Sequence, residues 1–137
     1  IKKYFNNDLA GKRIAIWGLA FKPETDDIRE APSIYMMKNL LAAGAILSVF
    51  DPEAMPNIKR QFGDDLFYAS SMYTALDNAD ALLICSEWSI FRTPDFQRVK
   101  KALTNPVIFD GRNLYNVEDM DAEGFAYVSI GRKEINI

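Results

Sequence analysis

Three cations stand where this sequence can recognise an anion: Lys22 and Arg29 in one loop, and Arg112 in another. The first loop runs from Gly18 to Pro32 and carries two cations, several acids and two prolines. It spans roughly 14 residues, where a strand-to-helix connection usually takes about 2 to 6. Pro23 and Pro32 stiffen it, and Thr25, Asp26 and Asp27 are types that hydrogen-bond their own backbone amides. A stiff loop presenting Lys22 and Arg29 suits anion recognition; the bland alternative pairs Arg29 with Asp26 or Asp27 and leaves Lys22 as a solvated lysine. The second loop is Phe109-Asp110-Gly111-Arg112-Asn113-Leu114-Tyr115. Gly111 permits a tight turn, and Arg112 offers a planar five-donor fork for phosphate or sugar hydroxyls. Its bland alternative is a surface pair with Asp110, worth about 0 to 1 kcal/mol. A charge-assisted hydrogen bond to a partly desolvated ligand is worth about 1.5 to 3 kcal/mol. Two or three such cations decide binding, and a surface pair does not.

Other chemistry is excluded by what the chain lacks. Histidine is absent, so no His-based triad or imidazole metal site exists, and one cysteine cannot build a zinc cage. Cys85 closes an apolar run with no cation beside it in sequence and reads as a small core hydrophobe rather than a nucleophile. No residue is assigned a catalytic or metal-binding role. Gly18 is followed by no second or third glycine at the spacing of a dinucleotide-binding turn. Asp51-Pro52 resembles the ribose-binding acid of nucleotide folds, but without that turn the strand-terminating role is preferred. Ser86-Glu87-Trp88-Ser89-Ile90-Phe91-Arg92 holds an acid and two aromatics, read as packing against a neighbouring domain. The net charge is −3, with 16 basic and 19 acidic side chains, which excludes the dominant basic field of nucleic-acid binding. No apolar run approaches the roughly 20 residues of a membrane helix. A lone cysteine accords with a reducing cytoplasm.

The elements that must position these loops are legible as apolar runs rich in β-branched residues. Arg13–Trp17, Ile46–Phe50, Ala81–Cys85 and Val107–Asp110 are nearly continuously apolar, as strands covered on both faces are. Leu66–Tyr68 and Ala126–Ile130 are weaker candidates. Helical spacing predicts a helix from Pro32 or Ser33 to Gly44, and others over Asn57–Gln61, Met72–Leu76, Phe96–Leu103 and Val117–Glu123. Strands and helices alternate throughout. The expected fold is therefore α/β: a three-layer, doubly wound, Rossmann-like domain with a mostly parallel sheet of about six strands, ordered near 3-2-1-4-5-6. In that order the loops after Trp17, Phe50, Cys85 and Asp110 share the carboxyl edge, where such sheets bind ligands. Residues 11–137 form the domain, and residues 1–10, opening on Ile rather than Met, read as the tail of a helix entering from an upstream domain.

The run GLAFKPETDDIREAP, from Gly18 to Pro32, resembles the signature opening the C-terminal domain of the UDP-glucose/GDP-mannose dehydrogenase family. The resemblance continues through Asp51-Pro52, Ser86-Glu87-Trp88 (where the family usually has Thr-Glu-Trp), the segment FDGRNLY, Gly124-Phe125 and Ser129-Ile130-Gly131-Arg132. DGRNLY looks more like the UDP-glucose branch than the GDP-mannose branch. The resemblance implies an NAD-dependent, two-step oxidation of a sugar C6 alcohol to the acid. UDP-glucose is then the expected substrate, with a UDP-N-acetylhexosamine or GDP-mannose as alternatives. It also implies N-terminal and central domains as partners, and a homodimer. By the same resemblance Phe21, Lys22 and Arg112 contact substrate and Arg29 reaches NAD, while the catalytic cysteine lies in a Gly-rich motif not found here. A stand-alone, non-catalytic nucleotide-binding module is the reading of a different class.

Overall fold

Alternating side chains in the central strand divide the molecule into two cores. A computed structural model describes residues 1–137. In β1 (Arg13–Trp17), Ile14 and Ile16 face one apolar cluster while Ala15 and Trp17 face the other. That period of two, apolar on both faces, is what a strand buried in a three-layer sandwich requires. The remaining strands are β2 (Ile46–Phe50), β3 (Phe67–Tyr68), β4 (Ala81–Ile84), β5 (Val107–Asp110) and β6 (Ala126–Ser129). They form one sheet in the order β3-β2-β1-β4-β5-β6, with every strand pair parallel. The doubly wound order expected from the sequence is the one observed.

One core holds residues of α1 (Pro32–Ala42) and α2 (Met55–Phe62) packed on the sheet. The other holds residues of α3 (Ser89–Arg92), α4 (Phe96–Ala102) and α5 (Val117–Ala122). Local chemistry bounds α1, α4 and α5 close to where the sequence indicated, while α2 starts two residues earlier and ends one later than Asn57–Gln61. Pro32 opens α1, and past its end Gly44 N–H bonds Leu41 O at 2.9 Å and Ala45 N–H bonds Leu40 O at 3.0 Å. Those two bonds satisfy carbonyls the helix leaves open. Asp95 caps α4 by accepting from Gln97 N and Arg98 N, and Asn116 caps α5 by accepting from Asp119 N. No helix is long and apolar enough to cross a membrane.

Residues 2–7 form turns closed by Asn6 N–H to Lys3 O at 3.1 Å and Asn7 N–H to Lys2 O at 2.7 Å, the pair of bonds that closes a helix C-terminus, with Asn6 at φ 54°. Two expectations need correction. The helix expected over Met72–Leu76 shrinks to a 3-10 turn, Thr74–Leu76. There Ser71 N–H bonds Thr74 Oγ1 and Thr74 N–H bonds Ser71 Oγ, a reciprocal cap at the start of the turn, and Asn78, at φ 58°, turns the chain away just past its end. The aromatics after β4 do not face a neighbouring domain. Trp88 and Phe91 are 6% and 0% exposed, and Phe91 stacks on Trp17 with centroids 5.2 Å apart. The one-turn helix α3, not expected from the sequence, delivers Phe91 to that position.

Candidate functional site

Two buried aspartates, each at the carboxyl end of a strand, build the loops that carry the cations. Asp51, just after β2, is 1% exposed. Its Oδ2 accepts from Leu19 N at 2.7 Å and Ala20 N at 3.1 Å, and its Oδ1 accepts from Glu53 N and Ala54 N, both at 2.8 Å. Ser33, fully buried in α1, donates its hydroxyl to Leu19 O at 2.6 Å. The root of the long loop is thus fastened to β2 and to α1 before Phe21 and Lys22 emerge. Beyond the root the loop folds on itself. Phe21 N–H bonds Asp27 O at 3.0 Å, and Asn57 in α2 donates to Asp26 O at 2.8 Å. Glu24 and Glu30 hold left-handed backbone, φ 63° and 55°, which non-glycine residues adopt only under constraint.

Phe21 is 40% exposed at the rim, and the Lys22 Nζ lies 5.3 Å from its ring centroid. Arg29 forms the pair that its loop neighbours allow: its guanidinium meets Asp27, not Asp26, with Nη2 at 2.6 Å. Hydrogen bonds from Arg29 are the chief reason the Asp27 carboxyl is held down at about 2, and Lys22 adds a smaller electrostatic contribution. Arg29 itself remains 88% exposed.

Asp110, ending β5, is also 1% exposed. Its Oδ1 accepts from Arg112 N at 2.9 Å, and its Oδ2 accepts from Leu114 N at 2.7 Å and from the Tyr127 hydroxyl at 2.6 Å. Arg132 braces the arrangement, donating to the Tyr127 hydroxyl at 2.7 Å and to Tyr115 O at 2.8 Å. Asn113 and Ile130 exchange two hydrogen bonds, 3.0 and 2.8 Å, which lock the turn against the end of β6. Asp110 therefore holds the backbone of Arg112 and does not pair with its side chain. That guanidinium reaches Glu87 instead.

The three loop bases touch. Gly18, past β1, packs so closely on Ser86 that an added Cβ would lie 2.0 Å from the Ser86 hydroxyl oxygen. Gly111 N–H bonds Ile84 O at 3.0 Å. The carboxyl edge is thus continuous from β2 to β5, and Lys22, Arg29 and Arg112 all emerge from it. They stand in two groups: Lys22 and Arg29 around Asp27, Arg112 on Glu87. Beside them opens a cleft of about 320 Å³ lined by Glu24, Thr25, Asp26, Glu53 and Trp88. Asp51, Asp110 and Glu87 are the organising residues that sequence reasoning passed over or left with a lesser role. Their shared signal is an acid at or just past the end of a buried strand.

Cys85 is 8% exposed, and burial pushes its thiol up to about 12, with a smaller opposing effect from Arg112. No cluster of metal-ligating side chains exists. The thiol should resist alkylation at pH 8 until the chain is unfolded. Because its folded value is raised from 9.0, the stability it contributes is complete below pH 9 and is lost as pH climbs toward 12. Buried Tyr115 and Tyr127, also raised, act in the same direction. Unfolding midpoints should fall from pH 9 upward; a flat profile to pH 11 would contradict this.

Comparison with known proteins agrees with this architecture. Residues 15–117 match the model described as UDP-glucose/GDP-mannose dehydrogenase family, UDP binding domain. The UDP-glucose 6-dehydrogenase of Pseudomonas aeruginosa is 41% identical over 133 residues, covering 93% of this chain and 29% of that protein. Its Rhizobium meliloti counterpart is 42% identical over 127 residues, with the same coverage of 93% and 29%. Among solved structures, an NDP-N-acetyl-D-galactosaminuronic acid dehydrogenase from Methanosarcina mazei superposes with TM-score 0.80 at 28% identity. That likeness covers 96% of this chain and 27% of the other. A UDP-glucose dehydrogenase from Pyrobaculum islandicum gives 0.75 at 28% identity, covering 93% and 27%. The chain spans under a third of the length of the relatives it matches. With the fold, the loop signatures and the family match in agreement, the chain belongs to the UDP-glucose/GDP-mannose dehydrogenase family and corresponds to its UDP binding domain.

Proposed function

We propose that this chain is the sugar-nucleotide-binding domain of an NAD-dependent UDP-glucose 6-dehydrogenase, which oxidises the C6 alcohol of UDP-glucose twice, to the acid. The observation that carries this reading is the pair of anchored loops on one sheet edge, Phe21–Lys22 rooted on Asp51 and Arg112 rooted on Asp110. Identities of 41% and 42% to UDP-glucose 6-dehydrogenases support UDP-glucose as the substrate.

The division of labour follows from chemistry. Oxidation of an alcohol to an acid takes a hydride acceptor, a base and a thiol to hold the aldehyde. Cys85 is buried and held in its thiol form, so it does not serve as that nucleophile. Nor does the turn after β1 carry a dinucleotide-binding glycine pattern, because Gly18 is followed by no second or third glycine at the required spacing. NAD is therefore held mainly by other parts of the longer protein, with Arg29 reaching it from the rim. What these residues supply is orientation: cations that fix the diphosphate and sugar so that the reacting carbon meets its acceptor. The N-terminal and central domains complete the site, in a cytoplasmic homodimer.

In the intact enzyme, Lys22→Ala and Arg112→Ala should each lower kcat/KM for UDP-glucose by roughly 10- to 150-fold, the equivalent of about 1.5 to 3 kcal/mol for one charge-assisted hydrogen bond. Arg29→Ala should act mainly on the KM for NAD. Unchanged kinetics in all three would refute the assignment.

A further inference from the structure

We propose that Glu87 is a positioning residue for Arg112, fixing the guanidinium through Nε so that both terminal nitrogens face the ligand. The inference rests on the substrate-binding reading of Arg112 given above. Its geometric basis lies in the sheet. Ile84 is in register with Asp110 on the adjacent strand, so the chain leaves β4 and β5 side by side. Glu87, three residues past Ile84, and Arg112, two past Asp110, meet across that gap. The bond runs from Arg112 Nε to the Glu87 carboxylate, and it is the side chain's one hydrogen bond; Nη1 and Nη2 make none. The backbone of Arg112 is meanwhile fixed by Asp110, and the next residue, Asn113, is clamped to Ile130 by its side chain. An arginine anchored at its backbone and at Nε has lost most of its rotamer freedom before ligand arrives. The pair of Nη groups then presents the fork that matches two oxygens of a phosphate. Glu87 is 23% exposed and Arg112 44%, so the pair sits at the rim, where it contributes little to folding.

Glu87 also places a negative charge near an anionic ligand, and that effect has the opposite sign. Two substitutions separate the effects. Glu87→Gln keeps an acceptor for Nε and removes the charge. Glu87→Ala removes both. In the intact enzyme, Glu87→Ala should raise the KM for UDP-glucose roughly 3- to 10-fold, the range set by immobilising one long side chain, with kcat and the unfolding midpoint little changed. Glu87→Gln should leave KM within about twofold of the parent or lower it, since one hydrogen bond is retained and a repulsion is lost. A fall in KM in both variants would make Glu87 a competitor for Arg112 and overturn the proposal, as would no change in either. Arg112→Ala is the control that separates this inference from the reading beneath it. An inert Arg112→Ala defeats both; a responsive Arg112→Ala with an inert Glu87→Ala defeats this inference alone.

Discussion

Gly18→Ala should destabilise the fold by about 3 kcal/mol or more, because a left-handed backbone and an overpacked contact each cost about 1 to 3 kcal/mol. Gly18 stands at φ 91°, and a Cβ there would lie 2.0 Å from Ser86 Oγ, 2.7 Å from Ser86 N and 2.8 Å from Ser86 Cβ. Rotating the serine hydroxyl away does not solve the problem, since the backbone nitrogen and Cβ remain too close. The neighbouring strand end cannot retreat cheaply either: Cys85 N–H bonds Trp17 O at 2.9 Å, tying β4 to β1 immediately below. The expected loss corresponds to a fall of about 10 °C in melting temperature for a domain of this size. Two controls sharpen it. Gly131 also has positive φ, 67°, but nothing lies within 4 Å of its added Cβ, so Gly131→Ala should cost only the backbone strain of about 1 to 2 kcal/mol. Adding Ser86→Gly to Gly18→Ala removes the two side-chain contacts but leaves the backbone one, and should restore part of the loss. If Gly18→Ala melted no lower than Gly131→Ala, the close approach of the first and fourth strand ends would be disproved.

The parts of this molecule that were legible in its sequence are those governed by near neighbours. The runs Arg13–Trp17, Ile46–Phe50 and Val107–Asp110 have the bounds of the observed strands, because continuous apolar character between turn residues is a local signature. The unusual length of the loop between β1 and α1 was equally plain, and with it the positions of Lys22 and Arg29. What was hidden depends on partners distant along the chain. Asp51 holds Leu19 across 32 positions, and Glu87 meets Arg112 across 25, so neither partnership has a sequence spacing to read. Trp88 and Phe91 show the same limit from the apolar side. Two aromatics beside an acid and an arginine look like a surface patch until Trp17 supplies the ring on which Phe91 stacks. The bonding of Arg29 was narrowed to two neighbouring aspartates, and only the three-dimensional path of the loop selects Asp27.

Removing the Asp51 carboxylate tests the link between that hidden architecture and binding. Asp51→Ala strips the acceptor from four backbone N–H groups at once, those of Leu19, Ala20, Glu53 and Ala54. A buried donor left without a partner costs about 1 to 3 kcal/mol, though water entering the new space relieves part of it, so a net loss of about 3 to 5 kcal/mol is expected. Asp51→Asn should fall between the parent and alanine, near 2 kcal/mol by the same scale. Its single carbonyl oxygen can serve one pair of amides while the NH₂ group opposes the other. Urea unfolding measures these differences. Hydrogen exchange locates them, since the Leu19 and Ala20 amides should lose protection in Asp51→Ala while amides within β4 keep theirs. The loop root lies directly before Phe21 and Lys22, so the same substitution should weaken UDP-glucose binding under conditions where the protein remains folded. Loss of stability without loss of affinity would mean that Phe21 and Lys22 are held by the loop's own internal bonds, and that Asp51 serves the fold alone.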